Sequence, residues 1–258
     1  MKATLFALFV ALLMVGCGDV VNWSELLDRD GVMYLRNEKT PFTGKAESFY
    51  ENGQKSHEEN YKDGLMHGPY IKWHENGQKW SETNYKDGKL DGLRTHWYDN
   101  GQKKMEGNWE DGELDGLHTS WYKNGQKEEE SSWKDGKIIS AVVWKPNGEK
   151  CPLTNVESGR GRLVLYDRNG QKEEEKNYKN GKLDGLHTEW YYNGQKEREG
   201  NYKDGELDGV WTRWRTDNGQ KSEEINWKDD KKHGVYTIWN SDGTITRRWE
   251  YKDGERVD

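Results

Sequence analysis

The apolar positions of this chain are largely aromatic rings, and they recur at fixed intervals between polar, glycine-containing punctuation. The tetrapeptide Asn-Gly-Gln-Lys begins at Asn52, Asn76, Asn100, Asn124, Asn169, Asn193 and Asn218, every 24 residues from Asn52 to Asn124. A second marker runs out of phase with it: an aromatic residue, then Lys or Glu, then Asp or Asn, then Gly. It occupies Tyr61–Gly64, Tyr85–Gly88, Trp109–Gly112, Trp133–Gly136, Tyr178–Gly181, Tyr202–Gly205 and Tyr251–Gly254, with Trp227–Asp230 as a variant. Self-similarity at a constant period marks a repeat array. Two turn markers per period, with seven to nine strand-like residues between them, predict two antiparallel strands per unit. The expected fold is all-β: an elongated, single-layer, twisted antiparallel meander of tandem hairpins, each of about 24 residues.

The turn chemistry selects a register. A two-residue loop at Asn100-Gly101 would pair Asp99 with Gln102 and put Trp97 and Trp109 on opposite faces. A three-residue loop, a type I turn followed by a left-handed Gly, pairs Tyr98 with Gln102. Then Leu93, Thr95, Trp97, Met105, Gly107 and Trp109 share one face, and Arg94, His96, Tyr98, Lys104, Glu106 and Asn108 the other. The second register segregates apolar from polar, and Pro146 in Lys145-Pro146-Asn147-Gly148 supports it, because a type I turn wants φ near -65° at its first loop position. Each of Phe49, Trp73, Trp97, Trp121, Trp144, Tyr166 and Trp190 then faces Lys55, Lys79, Lys103, Lys127, Lys150, Lys172 and Lys196 in turn. Each such aromatic–Lys pair is expected to contribute roughly 0.5–1 kcal/mol. Gln is left facing solvent. With an even period both aromatic rows are expected on one face, where Trp73, Trp97, Trp109, Trp121, Trp133 and Trp190 form the candidate interaction surface; the other face is charged, with opposed pairs such as Arg94 and Glu106.

The punctuation breaks between Ile138 and Gly161, where the Asn-Gly spacing falls to 23 and then 22, and again at Asn218, where it is 25. The expected organisation is a signal peptide over 1–16, a lipidated linker over 17–28, a first array over 29–137, a degenerate junction over 138–161 and a second array over 162–258.

Composition sharpens this picture. Only 31% of the 258 residues are hydrophobic and 34% are charged, too polar for a thick core, while fourteen Trp and fourteen Tyr argue against disorder. The net charge of -7 arises from acidic and basic residues mixed along the whole length, so no basic field exists to wrap nucleic acid. Lys2 precedes an apolar run, Ala3–Val15, with the length of a secretory h-region. It ends in Leu13-Met14-Val15-Gly16-Cys17, which resembles the lipobox of bacterial lipoproteins and implies acylation of Cys17, hence attachment to a membrane without spanning it. Gly18 after that Cys favours an outer-membrane destination, facing the periplasm or exterior. With Cys17 lipidated, Cys151 has no partner for an internal disulfide.

Units such as Tyr85-Lys86-Asp87-Gly88-Lys89-Leu90-Asp91-Gly92-Leu93, followed by Trp97-Tyr98-Asp99-Asn100-Gly101-Gln102, resemble the bacterial variant of the MORN repeat (membrane occupation and recognition nexus). The segment Arg29–Tyr34 with Pro41-Phe42-Thr43-Gly44 is similar to the start of such proteins, and the resemblance covers about residues 29–258. It implies a single-layer sheet whose units pack on their neighbours. Many bacterial members carry an antitoxin-like label, and eukaryotic arrays are associated with membrane or protein scaffolding.

No catalytic set stands out. His57, His67, His74, His96, His118, His187 and His233 mostly occupy repeat positions, and those in adjacent units are expected roughly 10 Å apart, too far to share a zinc ion. His67 and His233 take the slot that is Asp in Asp91-Gly92, Asp115-Gly116, Asp184-Gly185 and Asp208-Gly209, which reads as a turn position. Asp87 and Asp91 resemble part of a calcium loop, but Asp before Gly is also what a turn demands. Glu128–Glu130 and Glu173–Glu175 are expected to be solvated strand charges, and Cys151 an inert thiol. The sequence therefore implies no enzyme, no cofactor and no metal. The expectation is a membrane-tethered scaffold for a protein partner; a peptidoglycan- or glycan-binding module using the aromatic ladder, and an antitoxin-like partner of a toxin, are the alternatives.

Overall fold

The computed structural model describes residues 19–258, so the leader and the Cys17 site lie outside the described residues. Tandem hairpins form an 11-stranded sheet from Asp19 to Val143 and a 10-stranded sheet from Gly161 to Arg256. Strands that follow each other in sequence lie side by side, as a meander requires, with one exception. Asp19–Asn22 runs parallel to Gly44–Phe49 and covers the first edge of the first sheet. Beside it a small hairpin, Leu26–Arg29 with Val32–Leu35, closes that end. Among the described residues no helix is long and apolar enough to cross a membrane.

The Asn-Gly turn is the three-residue loop the sequence predicts. The Tyr98 amide donates to the Gln102 carbonyl at 2.8 Å, the Gly101 amide donates back to Tyr98 at 3.0 Å, and Gly101 has φ +79°, where a side chain would be strained. The intervening hairpins turn on two residues, as at Asp87 (φ +50°) and Gly88 (φ +82°). Beyond that turn Tyr85 pairs with Leu90 but Thr83 pairs with Arg94, so the strand carries two surplus residues around Gly92. The gap is closed by a side chain: Asn84 Nδ2 donates to the Leu93 carbonyl at 2.8 Å, and Asn60, Asn177 and Asn226 make the same bond in their units.

One local feature overturns the expected faces. Trp97 pairs with Lys103, but His96 pairs with Met105, leaving Lys104 as the extra residue of a β-bulge. The same shift follows Phe49/Lys55, Trp73/Lys79, Trp121/Lys127, Tyr166/Lys172, Trp190/Lys196 and Trp214/Lys221. An unpaired residue inverts the facing of everything beyond it. Thr95 therefore meets Glu106, and Arg94 meets Gly107 rather than Glu106. The two aromatic rows fall on opposite faces: Trp73, Trp97, Trp121 and Trp190 on one, Trp109 and Trp133 on the other. The even period alone could not reveal this, because bulge and loop cancel in the residue count.

Apolar packing is concentrated at two places. Near the first edge Leu26, Phe42, Ala46 and Tyr61 are buried together. Between the two sheets Ile138, Val143, Val156, Leu163, Val164 and Tyr178 enclose Cys151, with Trp133 packed against them. The irregular sequence thus builds the largest core of a protein otherwise too polar to have one.

Candidate functional site

Backbone register lays out each face as rungs running across the sheet. On one face the rung reads Glu82, Thr95, Glu106, Thr119, Glu130 in the first sheet and Glu175, Thr188, Glu199, Thr212, Glu224, Thr237 in the second. This face is nearly constant from unit to unit, with Ile71, Val142, Val164 and Arg248 breaking the alternation at the array ends and the junction. Its Lys and Glu meet at i and i+3 only because the bulge lies between them: Lys79–Glu82 at 2.6 Å, Lys103–Glu106 at 2.5 Å and Lys172–Glu175 at 2.8 Å. Burial pushes Glu175 up, but hydrogen bonds and charge from Lys172 and Arg162 outweigh it and hold the carboxyl below its ordinary value.

The lysines do not sit over the rings they oppose. Lys55, Lys79, Lys103, Lys127, Lys172 and Lys196 place their ammonium groups 5.3–5.9 Å from the ring centres of Trp73, Trp97, Trp121, Trp144, Trp190 and Trp214, one unit further on. The rest of the tetrapeptide also reaches forward. Asn52, Asn76 and Asn100 hold their own loops through Oδ1 and donate through Nδ2 to Glu75, Asp99 and Lys123 carbonyls in the next turn. Gln54, Gln78 and Gln102 lie against Gly77, Gly101 and Gly125, where a Cβ would come within 3.3–3.5 Å of the amide. Gln54, Gln78 and Gln102 are exposed, as expected, and their amides also lie along the next turn, so all four letters touch the neighbouring unit. Tyr50, Tyr98, Tyr122 and Tyr191 add hydroxyl bonds to the Trp73, Trp121, Trp144 and Trp214 carbonyls.

Six segments match the family model described as MORN repeat variant: residues 42–63, 66–87, 90–111, 114–135, 161–180 and 183–204, together half of the chain. The chain belongs to the MORN repeat variant family. MORN arrays are repeat modules, generally non-catalytic, that typically serve protein or membrane association. No curated protein matches the chain. The same MORN-type hairpin continues past the matched residues, through Glu206–Trp214 with Lys221–Lys228 and Lys231–Trp239 with Ile245–Lys252. In the loop at Asn218 the extra residue is absorbed between Arg215 and Gln220, and Trp214 still pairs with Lys221.

The opposite face of this MORN array varies. Its corresponding rung reads Lys72, Ser81, His96, Met105, Ser120, Glu129 and Val143, then Leu165, Glu174, Glu189, Arg198, Arg213, Glu223 and Ile238. Trp109 lies here beneath Arg94, whose guanidinium carbon is 5.6 Å from the ring centre. In the second sheet a cleft of about 230 Å³ is lined by His187, Glu189, Arg198, Tyr202 and Trp211, with Gly200 leaving the room. Glu174, His187 and Glu189 offer ligand atoms within 4.8 Å of one another. Both carboxylates are already matched by cations, Lys176 at 2.7 Å from Glu174 and Arg198 at 2.5 Å from Glu189, so the group is an ion network around His187. His67 and His233 reach the next turn, 3.2 Å from Asp87 and 3.3 Å from Asp253.

The glutamate runs divide between faces. Glu130 and Glu175 belong to the constant rung, whereas Glu128, Glu129, Glu173 and Glu174 lie on the variable face beside the junction. Glu129 is only 8% exposed, which corrects the expectation of a solvated charge at that position, whereas Glu173 is exposed as expected. Burial, then charge from neighbouring carboxylates, pushes both Glu128 and Glu173 above the usual range, with a hydrogen bond from Ser120 partly opposing this for Glu128. Cys151 Sγ lies 3.3 Å from the Tyr166 hydroxyl within the core.

Proposed function

We propose that this chain is a non-enzymatic scaffold, tethered to the bacterial cell-envelope membrane through acylated Cys17, that binds a protein partner on the variable face of its MORN array. The contrast between the two faces carries the reading. A face that repeats the same Glu, Thr, Lys and Trp in most units has its side chains engaged in holding units together, and it offers little positional information. The opposite face changes identity at nearly every step, and specificity needs such differences. The lipobox-like segment ending at Cys17 supports the tether, and Gly18 supports outer-membrane sorting. The lysines over Trp73, Trp97, Trp121 and Trp190 argue against stacking of sugar rings on that row, which leaves peptidoglycan binding without support there.

Photo-crosslinking in the native envelope tests the reading. A crosslinker at Trp211 on the variable face is expected to capture a discrete protein, and one at Leu117 on the constant face to capture none. Capture only from Leu117, or retention of the chain by peptidoglycan alone, would replace it. Cys17→Ser is expected to release the chain from the membrane fraction.

A further inference from the structure

On the constant face each strand lysine of the tetrapeptide from Lys79 to Lys127 is paired with a glutamate. Three cations on the variable face of the first sheet break this rule. Lys72, Arg94 and Lys104 make no salt bridge among the described residues. Each lies instead against a ring: Lys72 4.7 Å from the centre of Tyr70 and 5.3 Å from Trp80, Arg94 5.6 Å from Trp109, and Lys104 5.8 Å from Tyr98. They surround His96, which accepts from Arg94 Nε at 2.9 Å. Backbone register sets Lys72 two strands from His96 on the same rung, and Lys104 in the bulge opposite it, so the charges sit within about 5–10 Å of His96. Trp80 is 42% exposed at the centre of this patch. In a chain of net charge -7, three converging cations without a salt-bridge partner among the described residues are a feature suited to binding.

We propose that Lys72, Arg94 and Lys104, with Trp80 and His96 between them, bind an acidic peptide segment of the protein partner, one that carries Asp or Glu interspersed with apolar residues. This rests on the variable face being the partner-binding face. Rings beside the cations favour a carboxylate borne on an apolar chain over a hydrated inorganic anion. The next charges along the face are the Glu128 and Glu129 pair on one side and Glu59 on the other, with Glu59 held by the Trp23 and Tyr61 side chains. A uniformly anionic bilayer would be repelled by those flanks, whereas a peptide with segregated charges fits between them.

Burial, with charge from Arg94, Lys104 and Lys72, holds His96 down to about 4, which gives a second readout. The test uses the full chain lacking its leader and a fluorescein-labelled peptide of about seven alternating Glu and Leu residues, long enough to cross the patch at roughly 3.3 Å per residue. The double variant Lys72→Gln/Lys104→Gln is expected to weaken binding about tenfold or more. Lys79→Gln/Lys103→Gln removes the same charge from the constant face and is expected to leave binding within about twofold. The bound peptide is expected to raise the His96 pKa followed by NMR. Equal weakening by both variants, or no binding by the parent chain, overturns the proposal. Displacement of the peptide by inorganic phosphate or by phosphatidylglycerol vesicles at equivalent charge also overturns it, in favour of a free anion or a lipid surface. If the peptide fails while crosslinks from Trp211 persist, the site is wrong and the scaffold reading stands.

Discussion

Lys103 is the backbone partner of Trp97, yet its ammonium lies 5.9 Å from the ring centre of Trp121 in the following unit. The lysine thus couples units rather than closing its own hairpin. A double-mutant cycle between Lys103 and Trp121 is expected to show a coupling of about 0.5–1 kcal/mol, and one between Lys103 and Trp97 close to zero. Urea unfolding of the four variants in each cycle measures it. A larger coupling to Trp97 would return the lysine to its own hairpin.

Asn84 fills a gap that no backbone group can. Asn84→Ala leaves the Leu93 carbonyl without its 2.8 Å partner and is expected to cost about 0.5–1.5 kcal/mol. Asn84→Asp, which has no donor, is expected to be no better. Midpoints of chemical unfolding that leave Asn84→Ala indistinguishable from the parent would refute the plug.

The junction core should dominate stability. Ile138 is fully buried, and Ile138→Ala is expected to cost about 2–5 kcal/mol, whereas Leu117→Ala, at a site 50% exposed, should stay within about 0.5 kcal/mol. Calorimetry distinguishes the two. If the sheets unfold independently, Ile138→Ala should also split the transition.

Burial, with charge from Glu173 and Glu129, holds the folded-state carboxyl of Glu128 above its ordinary value, so its ionisation opposes folding. Glu128→Gln is expected to raise the Tm at pH 7 and to gain progressively less as the pH falls and the native carboxyl takes up its proton. A lower Tm for the amide at pH 7 would contradict the sign.

His96 titrates in the opposite sense. Its folded pKa near 4 lies below the ordinary 6.5, so the unfolded chain takes up a proton first as pH falls. The stability it contributes is complete above 6.5 and is lost between 6.5 and 4. Arg94, Lys72 and Lys104 face it, with Glu128 beyond Lys104. His96→Gln is expected to narrow the difference in Tm between pH 7 and pH 5. A variant with the parent's pH profile would remove His96 from that dependence.

The Asn-Gly turn type, the period and the strand number per unit were legible in the sequence because they are local: Gly101 needs a left-handed φ. The pairing of Trp97 with Lys103 followed from the loop length. What lay beyond the bulge did not, because a β-bulge at Lys104 leaves no residue signature of its own and changes no spacing. The jobs of Gln78 and Asn84 were equally hidden, since each is defined by a neighbour reached only after strands stack. The unpaired state of Lys104 had a trace: it falls one step out of phase with Lys103, the lysine that meets glutamate three residues later.

The sequence by itself determined that this protein is a stack of β-hairpins with two alternating turns, because backbone sterics at Gly, Asn and Asp act within a few residues. Only the tertiary structure decided which side chains share a face, since one unpaired residue per hairpin reverses a pleat whose period is two. That reversal separates the repeated Glu–Thr–Lys–Trp face that joins the units from the varied face that carries Lys72, His96, His187 and Trp211.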